Sequence, residues 1–175
     1  MIKRWATLFI VLSLCMISSI AQTNRRPPSQ KPKQPASVKP PDKLIQQLAR
    51  DDQDVKQCMD SGKIDKIDKY FSAQRIDLNE DRIPDFIVEA QENPEDCVLC
   101  GNRRCTQWIF RTTKDGYELL LTVGGADSVS TLNTSTNGHH DLRVIYPRGN
   151  TYPALEEIYR FDGRHYQKWK SRDLK

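Results

Sequence analysis

Nine residues in mid-chain, Asp77-Leu78-Asn79-Glu80-Asp81-Arg82-Ile83-Pro84-Asp85, put oxygen side chains at loop positions 1, 3, 5 and 9. With the Ile83 carbonyl at position 7, Asp77, Asn79, Asp81 and Asp85 can converge on one hard cation, and calcium is the cation this chemistry suits. The same residues also suit a metal-free turn, in which Asp and Asn side chains accept backbone N–H bonds and hold a hairpin. Arg82 stands at position 6, where glycine would take the sharp turn without strain, and it adds a positive charge. Val88 occupies position 12, so the bidentate Glu of an EF-hand is lacking.

Cys58, Cys97, Cys100 and Cys105 form the second group; the fifth cysteine, Cys15, lies in the amino-terminal apolar run. In an oxidising compartment four cysteines read as two disulfides with three pairings open. Cys100 and Cys105 flank a short Gly-Asn loop that can close, leaving Cys97 to tie that loop to Cys58, and this pairing is favoured. The longer bridge would close about 40 residues and stabilise by roughly 3–4 kcal/mol. Two other uses are open to these thiols. Cys97-x-x-Cys100 would need a lowered thiol pKa for disulfide exchange, and the preceding Glu95-Asp96 opposes that. A zinc site of all four is chemically allowed but suits an exported protein poorly.

Other polar residues nominate little catalysis. His139 and His140 are adjacent on an expected strand and point to opposite faces, as do Glu156 and Glu157. There is no Gly-x-Ser-x-Gly elbow, His-Glu-x-x-His or phosphate loop in the sequence. Tyr146, Tyr152, Tyr159, Tyr166 and Trp169 interleave with Arg148, Arg160, Arg164, Lys168 and Lys170. Such mixing can bind a glycan by stacking and charge, with Tyr166 and Trp169 as candidate contacts, or it divides into a buried aromatic face and a solvated basic one.

The elements that must position these residues follow from periodicity. Asp42 can cap a helix carrying Leu44, Leu48, Val55 and Met59 to about Cys58, with Gly62 as its break. Ile64, Ile67, Tyr70 and Phe71 suit a second helical turn or a first strand. After Ala73 the chain reads as β-structure: Trp108, Phe110, Tyr117, Leu119, Leu121, Leu142, Val144 and Tyr146 alternate with polar neighbours. Asp115-Gly116, Asn137-Gly138 and Asp162-Gly163 mark hairpin turns. The expectation is an α+β domain at 42–175, an antiparallel meander of about six or seven strands covered on one face by the amino-terminal helix.

Ahead of it, residues 1–21 have a basic start, an apolar run from Ala6 to Ile20 and a small-residue exit, the pattern of a cleaved signal peptide. About 15 apolar residues fall short of the roughly 20 that span a membrane, so no transmembrane segment is expected after cleavage. Residues 22–41 hold six of the ten prolines, five bases and no acid, and are expected to form a disordered basic linker. The 175-residue chain has a net charge of +4. That total divides into +2 on the signal, +5 on the linker and −3 on the domain. Weak contact with an anionic surface is therefore expected from residues 22–41, and nucleic acid is excluded as a partner of the domain.

The Asp77–Asp85 loop running into Phe86-Ile87-Val88-Glu89 resembles the calcium loops of FG-GAP and VCBS repeats, which occur in secreted β-proteins. Residues 70–170 also resemble a group of uncharacterised exported bacterial proteins. The shared segments are Cys100-Gly101-Asn102…Cys105-Thr106-Gln107-Trp108-Ile109-Phe110, Asp115-Gly116-Tyr117-Glu118-Leu119-Leu120-Leu121, Thr136-Asn137-Gly138-His139-His140-Asp141-Leu142 and Tyr159-Arg160-Phe161-Asp162-Gly163-Arg164-His165-Tyr166. No characterised family is matched over the whole chain. The resemblance implies a periplasmic or extracellular setting and transfers no activity. The expected function is a non-catalytic binding or structural module of the cell envelope, with an envelope protein or glycan as partner. An inhibitor of an extracellular hydrolase, using a cysteine-pinned loop around Glu92–Arg104, and a small secreted enzyme are the alternatives.

Overall fold

The computed structural model describes residues 36–174 except 96, 102, 103 and 150. The expected signal peptide, and the linker up to residue 35, lie outside the described residues. Everything below belongs to the compact unit Gln34–Lys175.

Helix α1 spans Asp42–Asp51 and buries Leu44, Ile45 and Leu48, one apolar stripe at helical spacing. Its N-cap is Pro41, whose carbonyl accepts from the Leu44 and Ile45 N–H groups, so Asp42 is the first helical residue rather than the cap. The single helix expected to run to Cys58 is two. Asp52 is extended (φ −120°), and helix α2 restarts at Gln53–Asp60. The Asp52 carboxylate accepts from the N–H groups of Asp54 and Val55, the usual remedy for unbonded donors at a helix start. One helical turn, α3 (Ile67–Tyr70), leads directly into the sheet.

Among the described residues the β-structure is antiparallel throughout, with nine strands in two sheets rather than six or seven in one meander. The first sheet has the order β1-β2-β3-β4-β5, formed by Ser37–Val38, Phe71–Ile76, Asp85–Ala90, Gln107–Thr113 and Gly116–Val123. The second has the order β6-β7-β8-β9, formed by Ser128–Thr136, His139–Tyr146, Leu155–Phe161 and Tyr166–Asp173. Ser37 and Val38 fall within the expected linker, yet they pair with Gln74 and Ala73.

Alternation sends the two faces of the first sheet to different cores. Phe71, Ala73, Phe86, Val88, Trp108 and Phe110 join Leu44, Ile45, Leu48 and Val55 on the helix side. Ile87, Ile109, Leu120 and Val123 join Val129, Leu142, Val144, Phe161 and Tyr166 between the sheets. The domain is thus three layers, helices on sheet on sheet.

Three register shifts interrupt the pairing of the described residues, one of them in β6 between Thr131 and Ser135, and the other two adjust which side chains face which layer. Ile109 pairs with Leu121 and Phe110 with Leu119, leaving Leu120 as the extra residue. Tyr117 and Leu119 therefore face the helices while Leu120 and Leu121 face the second sheet, where strict alternation would have kept residues 117, 119 and 121 together. In β9 the pairs Tyr159–Lys168 and Ile158–Lys170 leave Trp169 extra. The β6–β7 hairpin turns through Asn137 (φ 49°) and Gly138 (φ 77°), a left-handed pair for which Asn-Gly is the favoured sequence.

Candidate functional site

The Asp77–Asp85 loop sits between β2 and β3 and is closed by its own carboxylates. Asp77 Oδ1 accepts from Glu80 N–H at 2.7 Å and Oδ2 from Arg82 N–H at 3.1 Å. Asp81 Oδ1 accepts from Ile83 N–H at 2.6 Å, and its other oxygen accepts from the Asn79 amide at 2.8 Å. Asp85 is buried; its Oδ2 accepts from Leu78 N–H at 3.0 Å and its Oδ1 from Thr112 N–H on β4 at 2.7 Å. Burial holds the Asp85 carboxyl above its ordinary range, the two backbone donors oppose that shift, and the charges of Asp81 and Asp77 add to it. Arg82 takes the left-handed backbone itself (φ 66°). The five residues expected to hold calcium, Asp77, Asn79, Asp81, Ile83 and Asp85, share this loop, but the side-chain oxygens of Asp77, Asn79, Asp81 and Asp85 are turned to N–H groups, and Ile83 donates its own N–H to Asp81. Among the described residues, no group of three or more His, Cys, Asp or Glu side chains is arranged to hold a metal ion.

Disulfides join Cys58 to Cys97 and Cys100 to Cys105, the favoured pairing. The first ties α2 to the segment before β4. Asn93 orders that segment, its Oδ1 accepting from Leu99 and Cys100 N–H and its amide donating to the Cys100 carbonyl.

His139 and His140 diverge. His139 is buried and stacked on Phe161, with ring centroids 3.9 Å apart, and lies 3.2 Å from Arg111 Nη1. Burial lowers its pKa; the Asn137 carbonyl opposes that, and the positive Arg111 reinforces it. His140 faces the calcium-like loop, its Nε2 3.4 Å from Glu80. Glu156 and Glu157 diverge likewise, the first toward Arg143 and Arg172, the second toward Tyr159 and Lys168.

Tyr166 and Trp169 do not share a face. Tyr166 is 3% exposed, packs in the inter-sheet core and donates its hydroxyl to the His140 carbonyl at 2.8 Å. That burial raises its pKa. Trp169 is 55% exposed on the outer face of the second sheet. There the Arg160 guanidinium lies 3.4 Å from its ring centroid, a cation–π stack.

This outer face carries a groove in which charged side chains surround an exposed indole. The groove, of about 500 Å³, runs across the strands between Asp141, Arg143, Glu156, Arg160, Trp169 and Arg172, with Lys170 on its wall. The bulge creates it: strict alternation would turn Lys170 and Arg172 inward with Tyr166 and Lys168, whereas the extra residue brings both outward beside Trp169. Two buried carboxylates organise the cations. Glu156 pairs with Arg143 Nε at 2.5 Å and also with Arg172. Arg172 foremost, and then Arg143, hold its carboxyl below the ordinary range against the effect of burial. Asp141 accepts the Thr134 and Thr136 hydroxyls at 2.7 Å each and lies 3.6 Å from Arg160 Nε. Four cations facing two carboxylates leave this surface with a net charge of +2, although the domain as a whole carries −3. Of the groove residues, only Trp169, Arg160 and Lys170 belonged to the cluster singled out from the sequence. Arg143, Arg172, Asp141 and Glu156 were legible only with the register of β7 to β9 in hand.

Comparison of the chain with protein-family models, with curated proteins and with solved structures found no match. No helix of the described residues is long and apolar enough to cross a membrane.

Proposed function

We propose that the chain is an exported, non-catalytic binding module of the cell envelope whose outer sheet face takes a carboxylate-bearing saccharide. The observation that carries this reading is the stack of Arg160 on the exposed Trp169 above a groove of net positive charge. An indole offers a face for a sugar ring, and guanidinium groups match carboxylates in a planar, two-bond geometry. Asp141 and Glu156 hold Arg160, Arg143 and Arg172 in place before a ligand arrives, which lowers the ordering cost of binding. The basic segment 22–41 would add long-range attraction to the same polymer. Two disulfides in a small domain are compatible with export. Kinship with the FG-GAP-like exported proteins belongs to the same proposal, with the Asp77–Asp85 loop as a hairpin clip. The test is titration of the full chain with polygalacturonate and, as the uncharged control, dextran. Binding to the first alone supports the reading; equal binding to both, or to neither, overturns it.

The hydrolase-inhibitor reading has one observation of its own. Val98 is 78% exposed on a loop pinned on both sides by Cys97–Cys58 and Cys100–Cys105. A rigid, projecting apolar side chain is what an enzyme cleft would grip. Inhibition of an elastase-type proteinase by the wild-type chain, lost in Val98→Asp, would favour this reading over the saccharide one.

A further inference from the structure

A second concavity lies on a different part of the fold, where the first sheet extends beyond the cover of the second. On the sheet-2 side of β2, β3 and β4, the register pairs Ser72 with Glu89 and Glu89 with Gln107. These three polar side chains form a row across three strands, spaced by the roughly 4.8 Å strand separation. The cleft they floor is about 340 Å³, and Asp127 closes it from the start of the second sheet.

The Gln107 side chain is the informative group. The residue is only 4% exposed and lines this cleft, and its amide is not among the fully buried, unbonded side-chain groups of the described residues, so it faces the opening. An amide on the wall of a cleft keeps a carbonyl acceptor and two N–H donors to offer a ligand. The neighbouring Glu89 carboxyl lines the same cleft. Burial holds its pKa above the ordinary range; Arg104 opposes that shift and Asp127 adds to it. Arg104 is itself paired with Asp127 at 2.6 Å.

The chemistry of the lining selects a ligand class. Gln74, Gln91, Gln107 and the Ser72 hydroxyl each carry both donors and acceptors, and Gln91 already donates to Ser72 Oγ at 2.7 Å, which leaves the Gln91 carbonyl and the Ser72 O–H to a ligand. A cationic amine, which only donates, would leave the amide N–H groups facing it unmatched. An anion, which only accepts, would meet the Glu89 charge. Hydroxyl groups, which donate and accept, match the whole set. We propose that this inter-sheet cleft is a binding site for a neutral saccharide of one or two rings, its hydroxyls bonding the Gln107 amide and the Glu89 carboxyl. The site is separate from the Trp169 groove and differs from it in selecting an uncharged ring.

Nitrogen-15 NMR of the full chain tests this, read at the side-chain amide resonances of Gln107 and Gln91. The probes are glucose, maltose and diacetylchitobiose, with putrescine as the amine and inorganic phosphate as the anion. A saturable shift at Gln107 is expected with at least one of the three saccharides, and with neither putrescine nor phosphate. Ser72→Ala and Glu89→Gln, both at less buried positions, should each weaken that saccharide about tenfold. Gln107→Leu should abolish binding, and if that variant does not fold the other two carry the test. Three outcomes overturn the proposal: no saturable shift with any of the three saccharides, shifts with putrescine or phosphate instead, or a saccharide affinity that Ser72→Ala and Glu89→Gln leave unchanged.

Discussion

The indole N–H of Trp108 donates to Asp52 Oδ2 at 2.8 Å, while the other oxygen of the same carboxylate caps α2. One side chain therefore breaks the helix, restarts it and gives the largest buried aromatic its polar partner. Asp52→Ala should cost about 2–3 kcal/mol, combining a lost cap with an orphaned buried donor. Asp52→Asn still caps well and has one acceptor oxygen, so it should cost about half as much. Urea unfolding followed by tryptophan fluorescence measures both; equal stability of Asp52→Ala and wild type would refute the dual role.

Asp85 ties the loop to the sheet, through Leu78 on one side and Thr112 on the other. Removing the carboxylate in Asp85→Ala leaves two backbone donors unbonded and should destabilise by roughly 1–3 kcal/mol. With the Asp77 and Asp81 oxygens also engaged by N–H groups, millimolar calcium should raise the Tm of the wild-type chain little. A large calcium-dependent rise that Asp77→Ala removes would instead assign the loop to the cation.

The two disulfides should differ in worth. Cys58 and Cys97 are 39 residues apart, Cys100 and Cys105 only 5. Loop-closure entropy then gives about 4 kcal/mol for the first bridge and about 2 for the second. Serine replacement of each pair, compared by equilibrium unfolding, checks the order; the reverse order would mean that the short bridge acts through native-state packing.

His139 sets an acid limit. Its folded pKa lies below the ordinary value of 6.5, because burial disfavours the charged ring and Arg111 repels it. Between those two values the unfolded chain binds more protons, so stability falls as pH drops from about 6.5 toward the folded pKa. The loss should be visible in urea midpoints between about pH 7 and pH 5.5, and His139→Gln should flatten it. A slope unchanged by that substitution would place the sensitive group elsewhere.

Much of the fold was readable where side-chain period and burial agree. The α+β class, the antiparallel sheets, the Asn137-Gly138 turn, the cysteine pairing and the opposed His139–His140 and Glu156–Glu157 directions all follow from local spacing. The break at Asp52 was hidden because its cause is Trp108, 56 residues away. β6 was hidden because Ser-Val-Ser-Thr-Leu-Asn-Thr-Ser-Thr buries Val129 alone. The bulges at Leu120 and Trp169 were hidden because an extra residue reverses alternation without any residue-type signal. Tyr166 and Trp169, paired as ligand contacts from the sequence, are three residues apart and so lie on opposite faces by alternation alone, while the bulge brings the cations Lys170 and Arg172 to the side of Trp169.

The central claim is that the Arg160–Trp169 groove binds an acidic saccharide, and its most direct measurement is calorimetric titration of the full chain with polygalacturonate. Trp169→Ala and Lys170→Ala alter exposed side chains and should leave the Tm unchanged. Each should weaken binding about tenfold, and rising salt should weaken it further. Affinity that survives both substitutions, and disappears only when Arg25, Arg26, Lys31, Lys33 and Lys39 are neutralised, would contradict the account and give the binding to the amino-terminal segment alone.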